Sequence, residues 1–151
     1  MGNICYSYSE DTFANAKPFV PQITEGRVVK VYDGDTITIV AKLPYKDSEY
    51  YRFSVRLLGI DTAEIKGPEK DRATKARDAL SSRILNHSVQ LRDVATEKYG
   101  RLLANVYLGD ECMNKWMLEQ GHAIPYDGGN KQAAVMAAVI AADNKKLTWL
   151  L

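Results

Sequence analysis

Apolar and polar side chains alternate, with interruptions, from Ile23 to Leu108. Such alternation is typical of strands that bury one face and expose the other. Five segments carry the pattern and are predicted to be strands: residues 27–32, 36–40, 51–57, 89–94 and 101–108. Five half-buried strands in this order predict a chain that is mainly β.

Three helices are predicted beside the strands. The first follows a break at Gly67 and Pro68, and its apolar residues recur at helical spacing: Ala73, Ala76, Leu80 and Ile84. The second spans residues 113–120 and is ended by Gly121. The third spans residues 132–144 and is apolar on nearly every side. This order predicts an α+β, mainly β fold, a five-stranded OB-like Greek-key barrel with three helices.

Length and composition limit the function classes. A chain of 151 residues fits one domain, here predicted over residues 22–151 after a flexible tail at 1–21. Cys5 and Cys112 are too few for a disulfide framework or a structural zinc site. A net charge of +1 argues against a protein that coats nucleic acid with a broad positive surface. Any anion-binding function must therefore be local.

The N-terminus leaves two interpretations open. Residues 1–20 contain no apolar segment of the signal-peptide type, so a cytoplasmic location is expected by default. Met1 and Gly2 begin like a myristoylation signal, but Tyr6 stands where that signal needs Ser or Thr. An ordinary tail is favoured, and weak lipid attachment to a membrane through Gly2 and Cys5 is the alternative.

Three polar segments stand at the ends of the predicted strands. They are Asp33-Gly34-Asp35-Thr36, the stretch from Arg56 to Glu64, and Lys98-Tyr99-Gly100-Arg101. Each alone is typical of an ordinary turn or strand end. The hairpin between the second and third strands is centred near Lys46, so paired residue numbers should sum to about 92. Asp35 is therefore predicted opposite Leu57, beside Arg56, which brings the first two segments together.

The residue types in these segments suit chemistry on a phosphodiester. Asp35 and Asp61 offer hard oxygen ligands without His or Cys, which favours Ca²⁺ or Mg²⁺. Glu64 is close enough in sequence to take a proton from an attacking water. Arg56 and Arg101 could bind the phosphate and stabilise its added negative charge. The set predicts metal-assisted phosphodiester hydrolysis.

The three segments resemble the motifs of the staphylococcal nuclease (thermonuclease) family, which are Asp-Gly-Asp-Thr, Arg-Leu-x-x-x-Asp-Thr-Pro-Glu and Lys-Tyr-Gly-Arg. The resemblance extends from about Gly26 to Trp149. It implies a Ca²⁺-dependent nuclease that acts on DNA and/or RNA and leaves 5′-hydroxyl and 3′-phosphate ends. Ala63 replaces the family's Pro, which frees one φ angle but leaves the carboxylate of Glu64 in place.

Residue roles are implied by the resemblance, position by position. The implied Ca²⁺ ligands are Asp35, Asp61 and the backbone carbonyl of Thr62. The implied catalytic residues are Arg56, Glu64 and Arg101. The implied nucleotide-binding residues are Lys98, Tyr99 and Tyr126. A monomer that prefers single-stranded DNA or RNA and needs no protein partner is expected.

Two function classes remain open at this point. One is an active nuclease, and the other is a non-catalytic OB-fold module that binds nucleic acid or acts as a scaffold. Degenerate modules of this family typically lose the acidic and arginine positions, whereas all are present here, which favours the enzyme. Among further tyrosines that could stack on bases, Tyr45 and Tyr50 are interpreted as exposed loop residues and Tyr51 as core.

Overall fold

The structure is a computed structural model that describes residues 12–127. Two helices lie in this part of the chain, α1 (Lys70–Ile84) and α2 (Met113–Glu119). Its strands are β1 (Glu25–Asp33), β2 (Thr36–Lys42), β3 (Tyr50–Leu57), β4 (Ile60–Asp61), β5 (Ser88–Thr96), β6 (Leu102–Leu108), β7 (Glu111–Cys112) and β8 (Ile124–Pro125). Neither helix is long and apolar enough to span a membrane.

Five strands form a closed barrel in the order β3-β2-β1-β5-β6, and β3 closes it by pairing with β6. The closing contact is parallel and short, running from Val55–Leu102 to Leu57–Ala104, while the other neighbours in this order are antiparallel. The predicted five-stranded, mainly β barrel is therefore confirmed. Two of the three predicted helices are present, and the third, at residues 132–144, lies outside the described residues.

The barrel interior follows the alternation in the sequence. β2 and β3 direct Ile37, Ile39, Val55 and Leu57 inward, and each of these side chains is fully buried. Burial of one such side chain stabilises the fold by about 1.5–3 kcal/mol. The predicted buried face of α1 is also confirmed, and it consists of Ala73, Ala76, Leu80 and Ile84. On β6, Asn105 lies between the buried Ala104 and Val106 and is itself only 5% exposed, and its amide nitrogen donates to a carboxylate oxygen of Asp93 at 3.0 Å.

The turn between β1 and β2 packs closely against α1. A Cβ atom at Gly34 would lie 2.8 Å from Cβ of Ala76 and 2.9 Å from Cγ2 of Thr62. These distances are shorter than van der Waals contact, so a side chain at position 34 would push the turn away from its neighbours. The glycine therefore lets Asp35 approach both α1 and the segment that follows β4.

Candidate active site

The register of the β2–β3 hairpin brings the first two polar segments together. Thr36 pairs with Arg56, so the partner numbers sum as predicted. The backbone N–H of Leu57 donates to the carbonyl of Asp35 at 2.8 Å. This hairpin places the side chains of Asp35 and Arg56 side by side at one end of the barrel.

Asp35 is a buried carboxylate with several partners. It is 2% exposed, and its Oδ1 accepts a hydrogen bond from the hydroxyl of Thr36 at 2.9 Å. Its Oδ2 accepts from the backbone N–H of Thr62 at 3.2 Å. Burial raises the pKa of Asp35 to about 7 and the nearby Asp33 carboxylate adds to the rise, while the Arg56 guanidinium opposes it. A positive charge at this position is therefore strongly favoured.

Arg56 joins the two carboxylates that the sequence predicted as metal ligands. Its Nη1 lies 3.0 Å from Oδ2 of Asp35, and its Nη2 lies 3.0 Å from Oδ1 of Asp61. Burial alone would lower the pKa of Arg56, but the two carboxylates outweigh it and raise the pKa above its usual value. The guanidinium thus serves as the internal counter-charge of both acids when no cation is bound.

Thr62 adds an oxygen to this group. The sequence predicts its backbone carbonyl as the ligand; its hydroxyl oxygen is also buried and has no hydrogen-bond partner within the part of the chain that the structure describes. A buried polar atom without a partner costs free energy, about 1–3 kcal/mol, which a bound ligand would recover. Among residues 12–127, however, no group of three or more His, Cys, Asp or Glu side chains is placed to hold a metal. The two predicted carboxylates and the backbone carbonyl of Thr62 would therefore need solvent or substrate oxygens to complete a coordination shell.

Two adjoining clefts contain all nine predicted site residues. The smaller has a volume of about 270 Å³ and is lined by Asp35 and Thr62, among others. The larger has a volume of about 800 Å³ and is also lined by the predicted nucleotide-binding residues, Lys98, Tyr99 and Tyr126. Both clefts share the same four side chains: Arg56, Asp61, Glu64 and Arg101. The shared wall therefore combines acids that could hold a cation with arginines that could hold a phosphate.

Glu64 lies on the loop between β4 and α1. Its backbone carbonyl accepts a hydrogen bond from the N–H of Gly67 at 2.9 Å, which folds the loop into a turn. The residue is exposed, and its carboxylate faces both clefts. Its exposed carboxylate therefore lies beside the predicted metal ligands and is accessible to solvent.

Arg101 directly precedes β6, on a tight turn that begins at Glu97. The N–H of Glu97 donates to the carbonyl of Arg101 at 3.0 Å, and Gly100 has a φ of 82°, which favours glycine. The side chains of Glu97 and Arg101 form an ion pair through Nε of the arginine. This contact orients the guanidinium into the cleft. The sequence pattern did not single out Glu97, since a carboxylate beside a charged turn is common.

The turn also presents two of the predicted nucleotide-binding residues. Lys98 places its Nζ 4.8 Å from the ring centre of Tyr99, and the tyrosine is 75% exposed. A flat, exposed ring beside a cation is a suitable surface for a base and its phosphate.

Tyr126 reaches the site through a pairing that is too short to show in the sequence pattern. β4 and β8 pair two residues each, with Asp61 opposite Ile124. The N–H of Tyr126 then donates to the carbonyl of Gly59 at 2.9 Å. The tyrosine ring lies 5.6 Å from the guanidinium carbon of Arg56. The weakest of the sequence assignments is thus placed at the cleft by β8.

Asn114 supports the site from inside the barrel and was missed in the sequence. It is fully buried, and its amide nitrogen donates to the carbonyls of Leu58 at 2.8 Å and Ala104 at 3.2 Å. Its Oδ1 accepts from the N–H of Val106 at 2.9 Å. The side chain therefore joins β6 to the chain just after β3, where the segment toward Asp61 begins.

Comparison with known families identifies the chain. The family described as "Staphylococcal nuclease homologue" matches residues 54–149, which is more than half of the chain. The chain belongs to the staphylococcal nuclease family. Its match covers the segments of Asp61 and Arg101, in agreement with the resemblance of the three motifs.

Individual members of the staphylococcal nuclease family show the same relationship. A thermonuclease of Staphylococcus intermedius is 35% identical over 116 residues, covering 70% of this chain and 65% of the relative. A thermonuclease of Staphylococcus hyicus is 32% identical over 102 residues, or 64% of this chain and 56% of the relative. An uncharacterized endonuclease of Haemophilus influenzae is 33% identical over 102 residues, which cover 66% of this chain and 51% of the relative. The chain thus spans between half and two thirds of these relatives' length.

Proposed function

We propose that this chain is a Ca²⁺-dependent nuclease that hydrolyses the phosphodiester bonds of DNA and/or RNA. The observation that carries the proposal is the wall shared by the two clefts, where Arg56, Asp61, Glu64 and Arg101 converge. The names of the relatives, thermonuclease and endonuclease, support the same reaction class.

The residues present fit a calcium ion. Asp35, Asp61 and Thr62 would hold it, because Ca²⁺ prefers oxygen ligands and accepts irregular coordination with water in the remaining positions. The unsatisfied hydroxyl of Thr62 and the buried carboxylate of Asp35 are the observations that favour a cation here. When bound, the ion supplies Lewis-acid polarisation of a phosphoryl oxygen.

Glu64 acts as the general base in this proposal. Its carboxylate accepts a proton from a water molecule as the water oxygen forms a bond to phosphorus. The bond from phosphorus to the 5′ oxygen breaks, and that oxygen takes a proton from solvent and leaves as a 5′-hydroxyl group. The phosphate stays on the 3′ oxygen of the other product.

Arg56 and Arg101 stabilise the charge that develops on phosphorus oxygens. Arg101 keeps its terminal nitrogens for this role, because its contact with Glu97 uses Nε. Arg56 is engaged with Asp35 and Asp61 in the structure. If a bound cation offset the charge of those acids, the guanidinium of Arg56 would be available to a phosphate. Paired hydrogen bonds from arginine suit phosphate oxygens well.

Lys98, Tyr99 and Tyr126 bind the nucleotide beside the scissile bond. The rings of Tyr99 and Tyr126 are 75% and 45% exposed, so each offers a free face to a base. Bases that are already unpaired stack on such rings at no cost of melting, so the proposed substrate is single-stranded.

The decisive experiment is digestion of a single-stranded oligonucleotide, as DNA and as RNA, with Ca²⁺ and with a chelator. Cleavage that needs Ca²⁺, leaves 5′-hydroxyl and 3′-phosphate ends and is lost in Glu64→Gln is expected. Glu49→Gln is a matched control, since Glu49 is also exposed but lies in the β2–β3 hairpin. Stoichiometric binding without product would instead indicate a non-catalytic module.

A further inference from the structure

The strand that carries Arg56 presents a row of side chains that leads away from the clefts. Alternate residues of a strand face the same side, so Arg56, Ser54, Arg52 and Tyr50 of β3 share one face. The last three are exposed, and Arg56 lines both clefts. The row therefore begins in the candidate active site and continues over the outside of the barrel.

Neighbouring strands widen this row with further cations. On β2, Lys42 pairs with Tyr50 and Val40 pairs with Arg52. On β1, Arg27 pairs with Val40, so it lies across the sheet from Arg52. We call this surface the outer face, and its polar members are Arg27, Lys30, Lys42, Tyr50, Arg52 and Ser54. Of the acidic residues on and beside these strands, Glu25, Asp47 and Glu49 lie at the end away from Arg56, while Asp33 ends β1 at the smaller cleft.

Cations and aromatic rings lie next to each other on the outer face. Nζ of Lys42 is 4.7 Å from the ring centre of Tyr50, which is 70% exposed. Nζ of Lys30 is 5.6 Å from the ring centre of Tyr32, and Tyr32 lines the smaller cleft. The outer face is thus continuous with the clefts along β1 as well as along β3.

The adjacent hairpin carries two further rings. Tyr45 and Tyr51 have their hydroxyl oxygens 3.3 Å apart, and they are 55% and 40% exposed. The assignment of Tyr51 to the core is therefore wrong, because β3 is not paired with β6 at that level and its inward side is partly open. Because Tyr51 alternates with Tyr50 along β3, its ring lies on the opposite side of the strand, and these two rings are not part of the outer face.

We propose that the outer face is a second binding surface for single-stranded nucleic acid, which holds the strand as it leaves the catalytic cleft. The arginines and lysines suit phosphates, and the exposed rings suit unpaired bases. This inference rests on the proposed function for the position of the strand, but its binding can be measured without cleavage. Neither the +1 net charge nor the three motifs indicated this surface.

The dimensions of the outer face set the length of strand that it can bind. From Arg56 to Tyr50 the backbone of β3 advances about 20 Å, at about 3.3 Å per residue. A stacked strand advances about 3.4 Å per nucleotide, so about six nucleotides fit beside those in the cleft. We therefore expect a trinucleotide to bind in the cleft only, and a 12-mer to bind both the cleft and the outer face.

The test compares the binding of a fluorescent oligo(dT) trinucleotide and 12-mer to the full chain, by anisotropy with Ca²⁺ present. All variants carry Glu64→Gln so that the oligonucleotide is not cleaved. Lys42→Ser/Tyr50→Ser is expected to weaken 12-mer binding about tenfold and to leave trinucleotide binding unchanged. Arg52→Ser is expected to reduce the slope of log K against log salt by about 0.7 for the 12-mer.

A similar cation–aromatic pair provides the matched control. On β5 and β6, the guanidinium carbon of Arg92 lies 4.0 Å from the ring centre of Tyr107. Arg92→Ser/Tyr107→Ser removes the same kind of pair from another part of the barrel and is expected to change neither affinity. Thermal unfolding followed by circular dichroism checks that every variant is folded.

Two outcomes would overturn the inference. One is a 12-mer that binds no more tightly than the trinucleotide, and the other is an equal loss in the control variant, which would show an effect of net charge alone. Failure of the proposed function looks different, because it is absence of cleavage by the unmodified chain. Binding to the outer face can then still be present.

Discussion

Replacement of Arg56 by methionine tests the claim that its guanidinium is the internal counter-charge of two acids. The variant keeps the aliphatic part of the side chain but leaves Asp35 and Asp61 without their shared cation. The side chain of Asp35 is 3% exposed, so its charge cannot be compensated well by water. The metal-free protein should therefore lose stability.

The structure limits the size of this loss. Removal of one partner of a buried ion pair costs about 3–5 kcal/mol. The contact with Asp61, whose side chain is 44% exposed, contributes about 0–1 kcal/mol. Since the side chain of Arg56 is itself 17% exposed, the lower end applies, about 3 kcal/mol in the free energy of unfolding. For a chain of this size that lowers Tm by about 6–12 °C.

The assay is urea and thermal unfolding at pH 8 with a chelator and again with excess Ca²⁺. In the unmodified chain this pH lies above the pKa of Asp35, about 7, and loss of the Arg56 guanidinium, which lowers that pKa, raises it in the variant. Ca²⁺ should stabilise Arg56→Met more than the unmodified chain, because it meets no competing guanidinium at the two acids.

Two further variants make the measurement specific. Arg52 lies on the same strand and is exposed, so Arg52→Met should lower the free energy of unfolding by less than about 0.5 kcal/mol. Asp35→Asn/Arg56→Met removes the buried charge together with its partner and should recover most of the stability. If Arg56→Met costs no more than Arg52→Met, or if Ca²⁺ stabilises both proteins equally, the counter-charge role is refuted.

Three other substitutions have defined outcomes. Glu64→Gln should lower the cleavage rate about 10²–10⁴-fold with an unchanged Tm, because the side chain is exposed; a comparable rate would exclude it as the general base. Asn114→Ala should cost about 2–3 kcal/mol in urea unfolding, because it leaves a buried N–H and two carbonyls without their amide partner; a loss below 1 kcal/mol would contradict this. Gly34→Ala should lower the free energy of unfolding by about 1–3 kcal/mol and weaken Ca²⁺ binding measured by calorimetry. Gly67→Ala is the control and should lower it less, because the nearest contact of its added Cβ would be 3.3 Å.

Local pattern and turn geometry were enough to predict the barrel and the meeting of Asp35 with Arg56. The alternation of apolar residues defines which face of each strand is buried, and the hairpin centre defines the register. Both are short-range properties of the sequence, and the observed pairing of Thr36 with Arg56 follows from them.

Contacts between distant segments could not be predicted in the same way. β4 and β8 are two residues long, so they show no period, yet their pairing brings Tyr126 to the cleft. Asn114 has no partner nearby in sequence, and it stands next to Lys115 in a seven-residue helix that also contains Glu119, so the sequence does not mark it as buried. The exposure of Tyr51 depends on where β6 stops pairing with β3. The domain boundary at residues 21–22, the cytoplasmic location and the roles of individual site residues stay predictions.

The short contact between β3 and β6 has a consequence for the synthesis of the protein. Arg56 pairs with Leu103 across this contact, and Arg101 immediately precedes β6. A growing chain therefore leaves the ribosome with Asp35, Arg56 and Asp61 before the second arginine exists, and domains fold as they emerge. The contact that closes the barrel therefore also brings Arg101 to the cleft that Arg56 lines. A truncated chain that ends before β6 contains these acids and Arg56 but cannot form the β3–β6 contact that closes the barrel.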